Sequence, residues 1–193
     1  PAPRATPTIR LLRPDMNASQ KLKVTWKDVP TRTITAGGVE VAYRELGTDN
    51  PGTPVVFLIH LAAVLDNWDP RVVDGFAARH RVITFDNRGV GASSGAPAAT
   101  MEEMAKDAIT FIKAMGRDQV DLFGFSMGGM IAQEIVLKEP QLVRRMILAG
   151  TGPAGGEGIS AVAGVANFDL LRGLLTGQDP KQYLFFTRTP TGI

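Results

Sequence analysis

The 193-residue chain contains no cysteine and only two histidines, His60 and His80. The missing cysteines exclude disulfides, thiolate metal sites and cysteine catalysis, and they fit a reducing, cytoplasmic setting. No window approaches the ~20 apolar residues of a membrane span, so no membrane partner is expected. The opening Pro1-Ala2-Pro3-Arg4-Ala5-Thr6-Pro7 lacks the apolar run of a signal peptide, and the absent initiator methionine suggests a trimmed start. Charge of one sign is also scarce: 21 basic against 19 acidic residues leave a net +2 with no clustering, so no nucleic-acid footprint is read. Arg71, Arg144 and Arg145 read as solvated loop and helix-end charges. No motif calls for a metal or an organic cofactor, and none is expected. With 44% apolar and 21% charged residues, the chain has the makings of one soluble domain with a real core.

The pattern divides the chain into an N-terminal extension (1–30), a core (31–152) and a helical segment (153–193). Residues 1 to about 20 are aperiodic and read as an extended arm. Leu22, Val24 and Trp26 alternate with polar residues and predict a short strand. Thr31–Thr35 and Val39–Leu46 flank Gly37-Gly38, a hairpin signal. Strand–helix alternation follows. Pro54–His60 is a continuous apolar run, as in a parallel strand buried on both faces. Asp69-Pro70 caps a helix with Val72, Val73, Phe76 and Ala77 inward. Arg81–Phe85 is a strand. Thr100-Met101-Glu102-Glu103 is a capping box opening a helix that Gly116 ends. Val120–Phe125, a helix from Met127 to Glu139, and a buried strand Arg145–Ala149 complete the core. Ile159–Leu175 and 180–186 predict two more helices. A hairpin leading into repeated βαβ units implies an α/β fold with a mostly parallel sheet and helices on both faces.

The most informative motif is Gly124-Phe125-Ser126-Met127-Gly128, set between a strand and a helix. A serine in so sharp a turn needs small neighbours two residues to either side. The turn lifts the Ser126 hydroxyl clear of the sheet, at a helix N-terminus whose free N–H groups favour developing negative charge. That is how a serine nucleophile is presented; the plainer alternative is a buried turn serine in an ordinary βα unit.

In these residues the chain resembles the α/β-hydrolase family. The strand ending in His60, the loop Asp86-Asn87-Arg88-Gly89-Val90-Gly91-Ala92-Ser93 and the elbow Gly124–Gly129 carry the resemblance, in the right order and context. It covers 31–152, with 153–193 as the start of a helical cap. The resemblance implies Ser126 as covalent nucleophile on a small ester-like substrate. The backbone N–H groups of Met127 and Leu61 would hold the oxyanion. Many relatives have glycine where Leu61 stands, and a leucine there would narrow the acyl site. His60 falls at the family's structural histidine beside the oxyanion loop, and His80 reads as a surface residue. The triad acid and histidine of the family lie later than any position here, so the chain is expected to be the first part of a hydrolase, about six strands and an incomplete cap. Its sheet edge would then be unpaired, and an isolated chain is expected to associate with itself or with a completing chain.

Three further features have competing readings. Gly89-x-Gly91-x-x-x-Gly95 has the wrong spacing for a dinucleotide fingerprint, so a structural loop held by Asp86 and Arg88 is preferred. Trp68 either lines the pocket after the oxyanion loop or is a half-buried aromatic at a helix start. Asp169, Asp179 and Glu157 sit in cap-like segments as solvated or capping acids. The functional expectation is a serine esterase. The alternatives are an inactive or ligand-binding relative, and perhydrolase (non-haem haloperoxidase type) or lyase chemistry on the same scaffold.

Overall fold

A computed structural model describes residues 24–153, 155, 158–179, 182, 183 and 189. Its elements are β1 (Arg32–Ala36), β2 (Val39–Leu46), β3 (Val55–Leu58), α1 (Pro70–Ala77), β4 (Val82–Phe85), α2 (Met101–Ala114), β5 (Val120–Phe125), α3 (Met127–Lys138), β6 (Val143–Ala149) and α4 (Ile159–Thr176). The six strands form one sheet in the order β1-β2-β4-β3-β5-β6. The first two pairings are antiparallel, and β4, β3, β5 and β6 run parallel.

Side-chain chemistry explains the layers. Every residue of β3 and β4 is buried, as strands covered on both faces must be. One face carries α2 and α3, with Val56, Leu58, Ile83 and Leu122 meeting Ile109, Ile112, Ile131 and Ile135. The other carries α1, with Phe57, Val55 and Val82 meeting Val73, Ala77 and Trp68. The caps fall where the sequence places them. Asp69 accepts from Arg71 N at 2.8 Å, and Thr100 accepts from Glu103 N at 3.1 Å while Glu103 Oε2 accepts from Ala99 N. Gly116 ends α2 in the left-handed region at φ 66°.

The order of strands has a functional consequence. From β3 the chain steps through α1 to β4 on one side, then crosses through α2 to β5 on the other. The crevice beyond the carboxyl ends of β3 and β5 is therefore a topological switch point, where open α/β sheets bind their ligands.

Several expectations need correction. Val24–Trp26 is a bend and turn, not a strand. Trp26 is buried because its ring packs in the α1-side core, and its backbone N–H donates to Asp74 Oδ1 at 2.7 Å, which local alternation cannot reveal. Leu22 lies outside the described residues, as do the extension 1–20 and most of the helix expected over 180–186. Val72 faces solvent, leaving Val73 and Ala77 as the buried stripe of α1. The largest departure is β6. It was expected to be buried, yet it forms the sheet edge with Met146, Ile147 and Leu148 each more than a third exposed. Arg144 lies on this strand rather than at a helix end, and its guanidinium forks onto Asp121 at 2.7 and 2.9 Å. Arg71 is likewise paired, with Asp69, though fully in solvent.

Candidate active site

Ser126 stands at the switch point, between the last residue of β5 and the first of α3. Its backbone takes φ 53° and ψ −118°, a region that side-chain-bearing residues rarely occupy. Three glycines make the turn possible. A Cβ on Gly128 would overlap the Leu58 carbonyl, and one on Gly124 would lie 2.6 Å from Gly129 Cα. One on Gly129 would lie 2.5 Å from Thr151 Cγ2. The turn is then pinned: Ser126 N donates to Ala149 O and Gly129 N to Ser126 O, both at 2.9 Å, and Thr151 Oγ1 donates to Ser126 O at 2.7 Å. Gln133 Nε2 ties α3 to the strand exit by donating to Gly129 O and Gly152 O. Sequence reading missed Thr151 and Gln133. The signal for Thr151 was its position at the end of β6, the strand that pairs with β5 beside the elbow. Among the described residues Ser126 Oγ makes no hydrogen bond.

The loop after β3 faces this turn. His60, Leu61, Ala62, Ala63 and Met127 line one recess of about 330 Å³, so the two expected oxyanion donors, Leu61 and Met127, share a wall. Ala62 sits at φ 56°, with Ser126 one of two non-glycine residues in the left-handed region among the described residues, so both sides of the candidate site carry backbone strain. Leu61 is 69% exposed where it lines this recess. His60 Nδ1 lies 2.9 Å from Leu61 O. A carbonyl only accepts, so Nδ1 carries the proton and holds the loop. The His60 ring meets Phe125 edge-on at 5.4 Å. Trp68 does not line the recess. It is buried against Phe57, Phe123 and Phe125, a core aromatic beneath the elbow, with its Nε1 unpartnered among the described residues.

Asp86 joins the two neighbouring loops. Fully within the core, its Oδ1 accepts from Leu65 N at 2.7 Å and its Oδ2 from Ala92 N at 3.0 Å. Ser93 Oγ donates to Asp86 O and accepts from Ala42 N. Gly91 is required because a Cβ there would strike the Asp86 carboxylate. Arg88 Nε donates to Asp107 Oδ2 on α2 at 2.8 Å. The preference for a structural loop at 86–95 therefore rests on identified bonds.

His80 is remote. It follows α1 and precedes β4, at the amino ends of the parallel strands, whereas Ser126 follows the carboxyl end of β5. Among the described residues, neither histidine bonds to Ser126 and no cluster of three or more His, Asp or Glu side chains could hold a metal. No described helix is long and apolar enough to cross a membrane.

With the elbow and the loop after β3 meeting at a switch-point crevice, the chain belongs to the alpha/beta hydrolase fold family, whose pattern it matches over residues 53–175. Among individual relatives, it is 38% identical over 114 residues to a putative non-heme bromoperoxidase, BpoC, of Mycobacterium tuberculosis, covering 58% of this chain and 42% of that one. It is 28% identical over 149 residues to a putative carbamate hydrolase, RutD, of Azorhizobium caulinodans, covering 77% of this chain and 53% of that one. In structure it is similar to an alpha/beta hydrolase fold protein from Chitinophaga pinensis, with a TM-score of 0.75 and 32% identity over 86% of this chain and 59% of that one. The chain thus spans about half the length of the curated relatives it matches.

Proposed function

We propose that Ser126 is the nucleophile of a serine hydrolase acting on small ester-like substrates through an acyl-enzyme. The observation that carries this is the backbone of Ser126. Holding a side-chain-bearing residue at φ 53° costs about 1–3 kcal/mol that a glycine would avoid. A turn with no chemistry to perform has no need of serine there. In the reaction, Ser126 Oγ bonds to the acyl carbon and the carbonyl π pair moves onto oxygen, facing the N–H groups of Met127 and Leu61. The alcohol leaves with the proton that a base takes from Oγ, and water then repeats the sequence to release the acid. Among the described residues neither His60 nor His80 bonds to Ser126, and His80 lies at the opposite end of the strands. Because the chain spans about half the length of its relatives, we assign the base and its orienting acid to the part of the family fold that those relatives carry beyond it, and read α4 as the first helix of a cap over the crevice.

Perhydrolysis is a second reading, favoured by the likeness to the putative bromoperoxidase. It uses the same acyl-enzyme with hydrogen peroxide in place of water.

Intact mass before and after exposure to a fluorophosphonate tests the proposal. In the protein that carries its histidine and acid, one adduct mapping to Ser126 and lost in Ser126→Ala is expected. No adduct, or one at another residue, would overturn the nucleophile and leave a ligand-binding relative without turnover.

A further inference from the structure

We propose that Thr151 is a positioning residue for the proposed reaction. Its hydroxyl holds the Ser126–Met127 peptide by the carbonyl, and in doing so aims and strengthens the Met127 N–H as an oxyanion donor. The inference rests on the reading of Ser126 given above, because that reading gives the Met127 N–H its acceptor.

A peptide unit is planar and trans, so the Ser126 C=O and the Met127 N–H are two ends of one rigid plate and point in opposite directions. Whatever fixes the carbonyl fixes the N–H. The N–H end is free to act. Met127 is the first residue of α3, and among the described residues its N–H has no backbone partner. The carbonyl end is held. Ser126 O accepts from Thr151 Oγ1 at 2.7 Å and from Gly129 N at 2.9 Å. Thr151 Oγ1 also lies 3.4 Å from Gly152 O, but a hydroxyl has one proton and the shorter contact takes it. The Gly129 bond belongs to α3 and turns with that helix. The Thr151 bond comes from two residues beyond the end of β6, so it ties the plate to the sheet. That strand exit is itself fixed, because Ala149 O accepts from Ser126 N at 2.9 Å and Gln133 Nε2 donates to Gly152 O at 2.8 Å. Thr151 is also seated tightly: a Cβ on Gly129 would lie 2.5 Å from its Cγ2 and 2.7 Å from its Oγ1. One strand exit thus holds Ser126 by its N–H through Ala149 and by its C=O through Thr151. The second effect is electronic. A donor on the carbonyl oxygen draws electron density through the amide, and the N–H of the same peptide becomes a stronger donor by roughly 10–30%. The gain is largest when full negative charge develops opposite that N–H, which happens in the transition state.

Thr151→Ser and Thr151→Ala both remove the methyl, and only the second removes the hydroxyl. The first readout is saturation kinetics of fluorophosphonate labelling, in the protein that carries its histidine and acid. A whole oxyanion donor is worth about a hundred- to a thousandfold in rate, and roughly a tenth to a third of that on a logarithmic scale is about two- to eightfold. Thr151→Ala is expected to lower the maximal labelling rate at Ser126 by that factor and to leave the half-saturating concentration unchanged. Thr151→Ser is expected to label like wild type. The second readout needs no chemistry at Ser126. The step Ser–Met occurs once in the 193 residues, so serine carrying 13C at its carbonyl and methionine carrying 15N give this peptide its own NMR correlation. Its carbonyl carbon should move upfield in Thr151→Ala, where the oxygen loses a donor, and stay in place in Thr151→Ser. Two variants that label equally slowly would mean that the methyl acts by packing, and would overturn the proposal. A changed half-saturating concentration with an unchanged maximal rate, or a carbonyl signal that Thr151→Ala leaves in place, would overturn it as well. The two readings fail separately. Ser126 labelled at one rate in all three proteins refutes only the role of Thr151, and a moving carbonyl signal in a protein that never labels refutes only the nucleophile.

Discussion

Gly128→Ala is expected to destabilise the protein by about 3 kcal/mol or more and to abolish reaction of Ser126 with a fluorophosphonate. The added methyl has no way out. It would overlap the carbonyl of Leu58, the last residue of a strand buried on both faces between two parallel neighbours. Overpacking against a flexible side chain can be relieved by a rotamer change. Here the obstacle is backbone in the middle of the sheet, so α3 must move off β3 and carry Ser126 with it. Gly116→Ala is the matched control. Gly116, unlike the helical Gly128, is in the left-handed region, at φ 66°, but a Cβ there meets nothing within 4 Å. Only the conformational penalty of about 1–2 kcal/mol applies, and Ser126 should react normally. Urea midpoints and probe labelling rates for the two variants check both halves. A loss of stability in Gly128→Ala no larger than in Gly116→Ala would show that contact with Leu58 does not govern the elbow.

That contrast explains why the sequence was legible at this point. A Gly-x-Ser-x-Gly motif between an apolar strand and an apolar helix encodes a steric requirement, and the requirement is met by the Leu58 carbonyl and the Gly129 backbone. Helix caps were legible for a similar reason, since Asp69 and Thr100 satisfy N–H groups only a few residues away. Long-range partners were not. Trp26 looks like part of an alternating strand, but its ring packs in the α1-side core and its backbone N–H donates to Asp74, 48 residues later. Trp68 could be wall or core from sequence alone; three phenylalanines from two other segments decide for the core. β6 shows the converse limit. Met146, Ile147 and Leu148 have the composition of a central strand, and composition reports what a strand is built to be covered by. In this chain they lie at the sheet edge with more than a third of each exposed. Ser126, Leu61 and Met127 were readable as neighbours because each of them follows a strand end. The Asn87–Ser93 loop gave no hint that Asp86 would also bond to Leu65.

Asp86→Ala is expected to cost about 2–5 kcal/mol of stability and, separately, to slow reaction at Ser126. The stability term follows from what the carboxylate leaves behind. Asp86 is 3% exposed, and its two oxygens each receive a backbone N–H, Leu65 on one side and Ala92 on the other. Each donor left unsatisfied away from water costs about 1–3 kcal/mol. Asp86→Asn should recover only part of the loss. Its amide offers one acceptor oxygen and turns an NH2 group toward the second N–H, donor against donor. The reactive term follows from position. Leu65 begins the turn that closes the loop holding Leu61, so freeing Leu65 N lets the oxyanion side of the site drift while Ser126 stays pinned by Ala149 and Thr151. A donor displaced by about 1 Å forfeits much of its transition-state stabilisation, on the order of a hundredfold in rate. The two terms separate by temperature. Well below the unfolding transition, where all three proteins are folded, the labelling rate of Ser126 should still rank wild type above Asp86→Asn above Asp86→Ala. Equal labelling rates among the folded proteins would mean that Leu61 is not an oxyanion donor, and that Met127 acts with a partner other than this loop.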